Sequence, residues 1–368
     1  MPKLPRHAAP SRLETVERGL GDRAVRVVGA GLAAVLLLGV GAVGTHGRRP
    51  APASTQLATV RLTAQVAPQP VVVTPSSAPP QATPRAAVRA KPKARAVVRV
   101  LPKAPVKRWL PTGTGMWLHD YDRSERGNGK AVVARAQRVG LSHLFVQTGS
   151  SKKGWIGGPT LRSLLPATRG TGIKVIAWDF PTLVDPVADA RRLAAAAHFR
   201  CGGCPRVAAV APDVETAAEG TRIGTSAVIR YYTALRRALP RDTAILATVP
   251  WPSEMRTGNY PYASTAKRAD ALIPMAYWYN RSPAIVTATS MRYFKRFGRP
   301  VMPVGQGYDG RLDAPYLAAD PHPGKSVRSF LHTARQYGAT SVSLWSWQTT
   351  GGQQWTALAK ARPLYARR

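Results

Sequence analysis

The chain has 368 residues, with 53 Lys and Arg against 18 Asp and Glu, a formal net charge of +35 at pH 7. Its 44% hydrophobic content excludes a wholly disordered chain, and its length suits one large domain or two ordinary ones. The only cysteines, Cys201 and Cys204, exclude a disulfide-dense mini-domain and a four-cysteine zinc site supplied by this chain alone.

The charge is unevenly placed. Residues 1–111 carry 18 basic and 3 acidic side chains, and residues 112–368 carry 35 and 15. Such a chain is drawn to anionic surfaces, whether nucleic acid, lipid headgroups or acidic wall polymer. Arg outnumbers Lys amid abundant Ala, Val, Gly and Pro, the composition of a GC-rich genome, so codon usage accounts for part of the charge.

Residues 1–26 hold Lys3, Arg6, Arg12, Arg18, Arg23 and Arg26, which predict a flank retained in the cytoplasm. Val27–Gly44 then runs 18 residues without a charge, and its continuation to Gly47 reaches the roughly 20 residues needed to span a bilayer. Two readings follow: a signal anchor over 27–47 that stays in the membrane, or a signal peptide cleaved near Ala42–Gly44. The long flank favours the anchor, and both readings export the rest. Residues 48–111 read as a disordered linker: from 50 onward there is no acid, with ten Lys and Arg and repeated Pro. Arg85–Arg108 holds most of that charge and is expected to rest on anionic cell-wall polymer or lipid headgroups. Export makes nucleic acid an unexpected partner.

From Thr112 short apolar runs alternate with helical patterns. The predicted strands are Gly115–His119, His143–Gln147, Lys174–Trp178, Val207–Ala211, Ala244–Val249, Ala271–Met275, Pro300–Val304 and Ser341–Trp345. Between them, Val228, Tyr232, Leu235 and Leu239, and again Val327, Phe330, Leu331 and Ala334, form stripes at helical spacing. Eight strand–helix repeats over 112–368 predict a (βα)8 TIM barrel, whose usual size is about 250 residues.

In such a barrel the chemistry sits where strands end. Those places hold His119 and Asp120, Trp178 and Asp179, Asp213 and Glu215, Tyr277 and Trp278, Gln306, and Trp345, Trp347 and Gln348. Residues two apart on a strand share a face, so Asp213 and Glu215 are expected to point together into the mouth, about 6–7 Å apart at Cα. Like charges at that spacing, among aromatic rings, raise a carboxyl pKa and leave an acid able to protonate a glycosidic oxygen. The competing structural use is a salt bridge to Arg206 or a loop arginine. Asp120, Asp179, Trp178, Tyr277, Trp278, Gln306, Trp345, Trp347 and Gln348 are the candidate sugar-site residues.

The Asp213/Glu215 pair, Met275 with Tyr277, and the final-strand Trp resemble glycoside hydrolase family 18 chitinases and their relatives. With Pro274–Trp278, Arg299–Tyr308 and Ser343–Gln348, residues 115–360 look like exported glycoside-hydrolase-like barrels of GC-rich Gram-positive bacteria. The resemblance implies Glu215 as the acid, Asp213 as the residue that orients a substrate acetamido group, and Tyr277 as its support. Two further acids of the family 18 strand are Ala208 and Ala211 here, and Trp278 stands where an Asp is common. The lysozyme-like family 25 barrels also carry Asp-x-Glu on this strand, with acids from other strands; Asp120, Asp179 or Asp309 are the candidates for that set.

Three further features have simpler readings. Ala319–Ser326 loosely fits a phosphate-loop pattern, but Pro321 and Pro323 remove backbone donors, so a loop and helix start is expected. Cys201-Gly-Gly-Cys204 is expected to form a structural disulfide in an exported loop. His119 is expected to be a polar mouth residue or a satisfied core histidine. Taken together, the sequence predicts a membrane-tethered, monomeric glycoside hydrolase acting on a cell-surface polysaccharide such as peptidoglycan. No metal or cofactor is expected. The alternative is a non-catalytic glycan-binding or wall-anchoring barrel.

Overall fold

A computed structural model describes residues 106–253, 258–312, 314–361 and 365. The expected cytoplasmic flank, membrane segment 27–47 and nearly all of the linker lie outside these residues. Among the described residues no helix is long and apolar enough to cross a membrane.

Nine strands form one sheet: β1 (Gly113–Leu118), β2 (His143–Ser150), β3 (Gly154–Trp155), β4 (Lys174–Phe180), β5 (Ala209–Pro212), β6 (Ala244–Val249), β7 (Ala271–Ala276), β8 (Val304–Gln306) and β9 (Ser341–Trp345). All except β3 are parallel and pair in the ring β1–β2–β4–β5–β6–β7–β8–β9–β1. This is a closed eight-stranded barrel. The short β3 turns back antiparallel on the end of β2, with Gly149 opposite Trp155 and Ser150 opposite Gly154.

Eight α-helices are described: α1 (Gly129–Val139), α2 (Gly157–Ala167), α3 (Pro186–His198), α4 (Thr225–Ala238), α5 (Tyr262–Arg268), α6 (Pro283–Lys295), α7 (Pro323–Gln336) and α8 (Gly352–Lys360). Local chemistry starts several of them. Asp185 accepts hydrogen bonds from Val187 N and Ala188 N ahead of Pro186, and Ser282 accepts one from Ile285 N ahead of Pro283. These side chains satisfy amide groups that a helix start otherwise leaves orphaned. The apolar stripes predicted on α4 and α7 are buried against the sheet.

Alternation along the strands makes two cores. Trp117, Phe145, Trp178, Leu246 and Ile273 fill the barrel, while Met116, Leu144, Val175, Val210 and Ile245 pack under the helices. Gly305 has a specific packing reason: a Cβ there would meet the Phe330 ring of α7 at 2.7 Å. The seventh barrel strand is displaced from the predicted Pro300–Val304 to β8, Val304–Gln306. Pro300 and Pro303 have no amide hydrogen, so pairing before β8 reduces to a bridge at Val301 with Leu272.

The last residues assigned to the linker behave as part of the barrel. Trp109 and Leu110 pack against its interior cluster, and Arg108 donates to Arg241 O and Asp270 Oδ1. Cys201 and Cys204 are bonded to each other between α3 and β5. The Ala319–Ser326 segment is a loop followed by the start of α7 at Pro323, with His322 N donating to Asp320 Oδ1 at 2.8 Å.

Candidate active site

The mouth of the barrel has an aromatic floor. Trp117 stacks flat on Phe145, with ring centroids 4.2 Å apart, and Trp178 and Trp345 tilt against it at 5.7 Å each. Trp117 donates from Nε1 to Ser343 Oγ at 2.9 Å, and Trp178 from Nε1 to Leu118 O at 3.3 Å. His119 lies against the Trp178 and Trp345 rings at 5.9 and 5.4 Å. Burial first, and then the charge of Lys153, lower its pKa against the opposing effect of Asp120. These effects favour the neutral imidazole of His119.

One wall of the mouth carries the acids. Ala209 and Ala211 of β5 belong to the interior cluster, and Asp213 and Glu215 follow at the same two-residue spacing past the strand's end at Pro212. Asp213 continues the sheet beyond β5, bridging Thr248 and donating its backbone N–H to Asp179 O at 2.9 Å. Each of the two acids is only 2% exposed. Burial, followed by the negative charges of Glu219 and Asp179, pushes the Asp213 carboxyl up to about 7. Among the described residues its Oδ1 is buried without a hydrogen-bond partner, as are Gln147 Oε1 on β2 and Thr248 Oγ1 on β6. Their strand positions match those of Phe145 and Leu246, which face inward. Tyr260, in the segment after β6, donates to Val214 O at 2.8 Å and is pushed to a higher pKa by burial and then by neighbours that include both acids.

The other expected site residues divide between mouth and surroundings. Tyr277 packs on the interior cluster and meets the Tyr308 ring edge-on at 5.8 Å; Trp345 and Trp178 belong to the floor. Gln306 is at the mouth but its amide is committed to bracing loops: Oε1 accepts from Tyr279 N and Nε2 donates to Tyr308 O. Gln348 donates to Asp120 O and Ser124 Oγ, tying the last strand's loop to the first. Asp120 accepts from Arg123 N and shapes that same turn.

Three placements correct the sequence reading. Trp278 is one step out of phase with Tyr277 and packs on Phe330 under α7, 5.7 Å between centroids. Trp347 follows the end of β9, where the turn from Ser346 to Thr350 carries it onto Trp355 and Arg135 in the helix layer. Asp179 alternates with the inward Trp178 and so faces α3, fully buried, where Arg192 donates Nε and Nη2 to its two oxygens at 2.8 and 2.7 Å. Arg192 also donates Nη1 to Asp189 at 2.8 Å. Asp309 is engaged by Arg311 at the surface. The sequence reading passed over Gln147 and Thr248 at the mouth, and Tyr260, which packs in the helix-side core next to the acids. Alternation from Phe145 and Leu246 marks the first two, whereas nothing in the local sequence marks Tyr260.

The strand pairing defines a (βα)8 barrel with two buried acids following β5. No protein-family model matches the chain, and no curated protein sequence matches it. Among solved structures, a chitinase from Chromobacterium violaceum superposes with a TM-score of 0.48 at 12% identity, over 70% of this chain and 100% of that one. A family GH18 chitinase from Cycas revoluta gives 0.48 at 12%, over 69% and 99%. The spore cortex-lytic enzyme SleL of Bacillus megaterium gives 0.48 at 13%, over 71% and 76%. The likeness is distant, and closure of the barrel stands on its own strand pairing.

Proposed function

We propose that the barrel hydrolyses a glycosidic bond in a cell-surface polysaccharide, peptidoglycan being the substrate favoured by an exported location. Glu215 protonates the leaving oxygen, Asp213 is its partner, and Tyr277 with the Trp178–Trp345 floor receives the sugar. One observation carries this reading: Asp213 and Glu215, two residues apart just past β5, are each only 2% exposed, and the partner acid Asp213 is pushed up to about 7. A glycosidic oxygen is a poor leaving group until protonated, and a buried carboxyl is suited to deliver that proton. The aromatic floor suits the apolar C–H faces of a pyranose.

Export through the 27–47 segment, with residues 48–111 as a basic tether, belongs to the same proposal. The Cys201–Cys204 disulfide supports it, since such bonds persist outside the reducing cytosol.

The test is release of reducing ends from peptidoglycan and chitin oligomers by the full chain. Glu215→Gln, which keeps shape and removes the proton, is expected to lower turnover about 10²–10⁴-fold. A folded wild-type protein that releases nothing from a broad glycan panel would overturn the hydrolase reading. A second reading, a non-catalytic glycan-binding barrel, is favoured by the engagement of Asp179 by Arg192 and of Asp309 by Arg311. It expects wild type and Glu215→Gln to bind glycan equally, without turnover.

A further inference from the structure

Among the described residues the hairpin formed by β2 and β3 has no counterpart on the other strands, and it stands at the mouth. Its tip is Ser151-Lys152-Lys153-Gly154, closed by Gly154 at φ 67°. Lys153 N donates to Ser150 Oγ at 3.0 Å, which sets the tip backbone. Its ammonium is exposed, makes no ion pair among the described residues, and acts electrostatically on His119 beside the floor tryptophans.

Two residues on, Trp155 is 39% exposed yet held in place. Its ring lies over the start of α2: a Cβ at Gly157 would meet it at 2.7 Å, and Gly158 lies beneath its Nε1. A half-exposed indole on a glycine seat is a flat apolar platform. Two residues before it in the chain stands Lys153, on the hairpin that ends β2, with β4 between this strand and the β5 that leads to Asp213 and Glu215. Most exposed cations elsewhere on this chain are ordinary surface charge. Lys153 differs in being coupled to the mouth and adjacent to a fixed ring.

We infer that the β2–β3 hairpin is a glycan subsite specific for a carboxylate-bearing sugar, with the Trp155 ring stacking the pyranose and the Lys153 ammonium pairing with its carboxylate. A polymer bearing carboxylates on alternate sugars places one against Lys153 while a neighbouring sugar meets the floor. This inference rests on glycan binding at the mouth, not on turnover.

Two probes share a β-1,4-linked N-acetylated backbone: chitin hexasaccharide, which is neutral, and a peptide-free peptidoglycan hexasaccharide, whose lactyl groups carry free carboxylates. The readout is protection of Trp155 from indole oxidation in the full chain, measured by peptide mass spectrometry, with Trp109 at the opposite end of the barrel as the internal reference. That readout ignores glycan held by the basic linker. The carboxylated probe is expected to protect Trp155 at concentrations at least about fivefold lower than chitin, in line with a partly exposed ion pair. Lys153→Gln is expected to abolish the difference, and Lys152→Gln to keep most of it. Equal protection by both probes, no protection by either, or equal effects of the two lysine variants would each overturn the subsite. Protection of Trp155 without release of reducing ends would instead strike the hydrolase reading and leave the subsite standing.

Discussion

Asp213 and His143 are buried titratable groups whose effects on stability oppose each other. Asp213 holds its proton up to about 7 in the folded chain but loses it near 3.8 when unfolded. Between those values the folded state binds more protons, so this contribution weakens stability as pH rises. His143, on the lower barrel wall, is depressed to about 3 by burial and is hydrogen-bonded to Ser142 Oγ. The unfolded chain takes up that proton below about 6.5, so this contribution weakens stability as pH falls through the same window. Asp213→Asn removes the first effect alone. The variant is expected to melt several degrees above wild type at pH 8 and level with it at pH 4, since barrels of this size shift about 2–4 °C per kcal/mol. Equal melting differences at both pH values would contradict a raised Asp213.

Between elements, the strongest local tie is Arg192, which binds α3 to the end of β4. It serves Asp179, which is fully buried, and Asp189, which also accepts from Ser151 Oγ and Leu183 N. Ser151 in turn accepts from Thr182 N, so the network holds the loop next to the proposed subsite. Arg192→Met would leave two carboxylates buried without their cation, a change that costs about 3–5 kcal/mol. Chemical denaturation should show that loss as a lower midpoint with an unchanged slope. Asp179 illustrates how far the sequence was legible at this scale. Its place at a strand end was visible, and alternation from Trp178 already turns it away from the mouth. Its partner Arg192 lies 13 residues on, and only packing of α3 on β4 brings them together. Trp278 was legible in the same way. Trp347 was not, because alternation stops where β9 ends and the turn decides the direction.

For the whole molecule, the basic excess divides among residues 1–26, the acid-free stretch 50–111 and a barrel in which Glu125, Asp179, Asp189, Asp270 and Asp309 pair with arginines. If the tether holds acidic polymer, deleting residues 50–111 should release the protein from isolated cell walls, and moderate salt should do the same to the intact chain, as screening over a Debye length of about 8–10 Å requires. Retention in both cases would place wall attachment in the barrel. The barrel itself was readable, because closure needs eight strands with inward and outward alternation, and both leave periodic marks in a linear chain. The place of Asp213 and Glu215 just past the end of β5 was readable from the same pattern. Their burial, the raised Asp213 and the loss of Asp179 to Arg192 were decided only by tertiary structure. Desolvation and charge coupling depend on what approaches from other strands, and a sequence records neighbours along the chain rather than across the mouth.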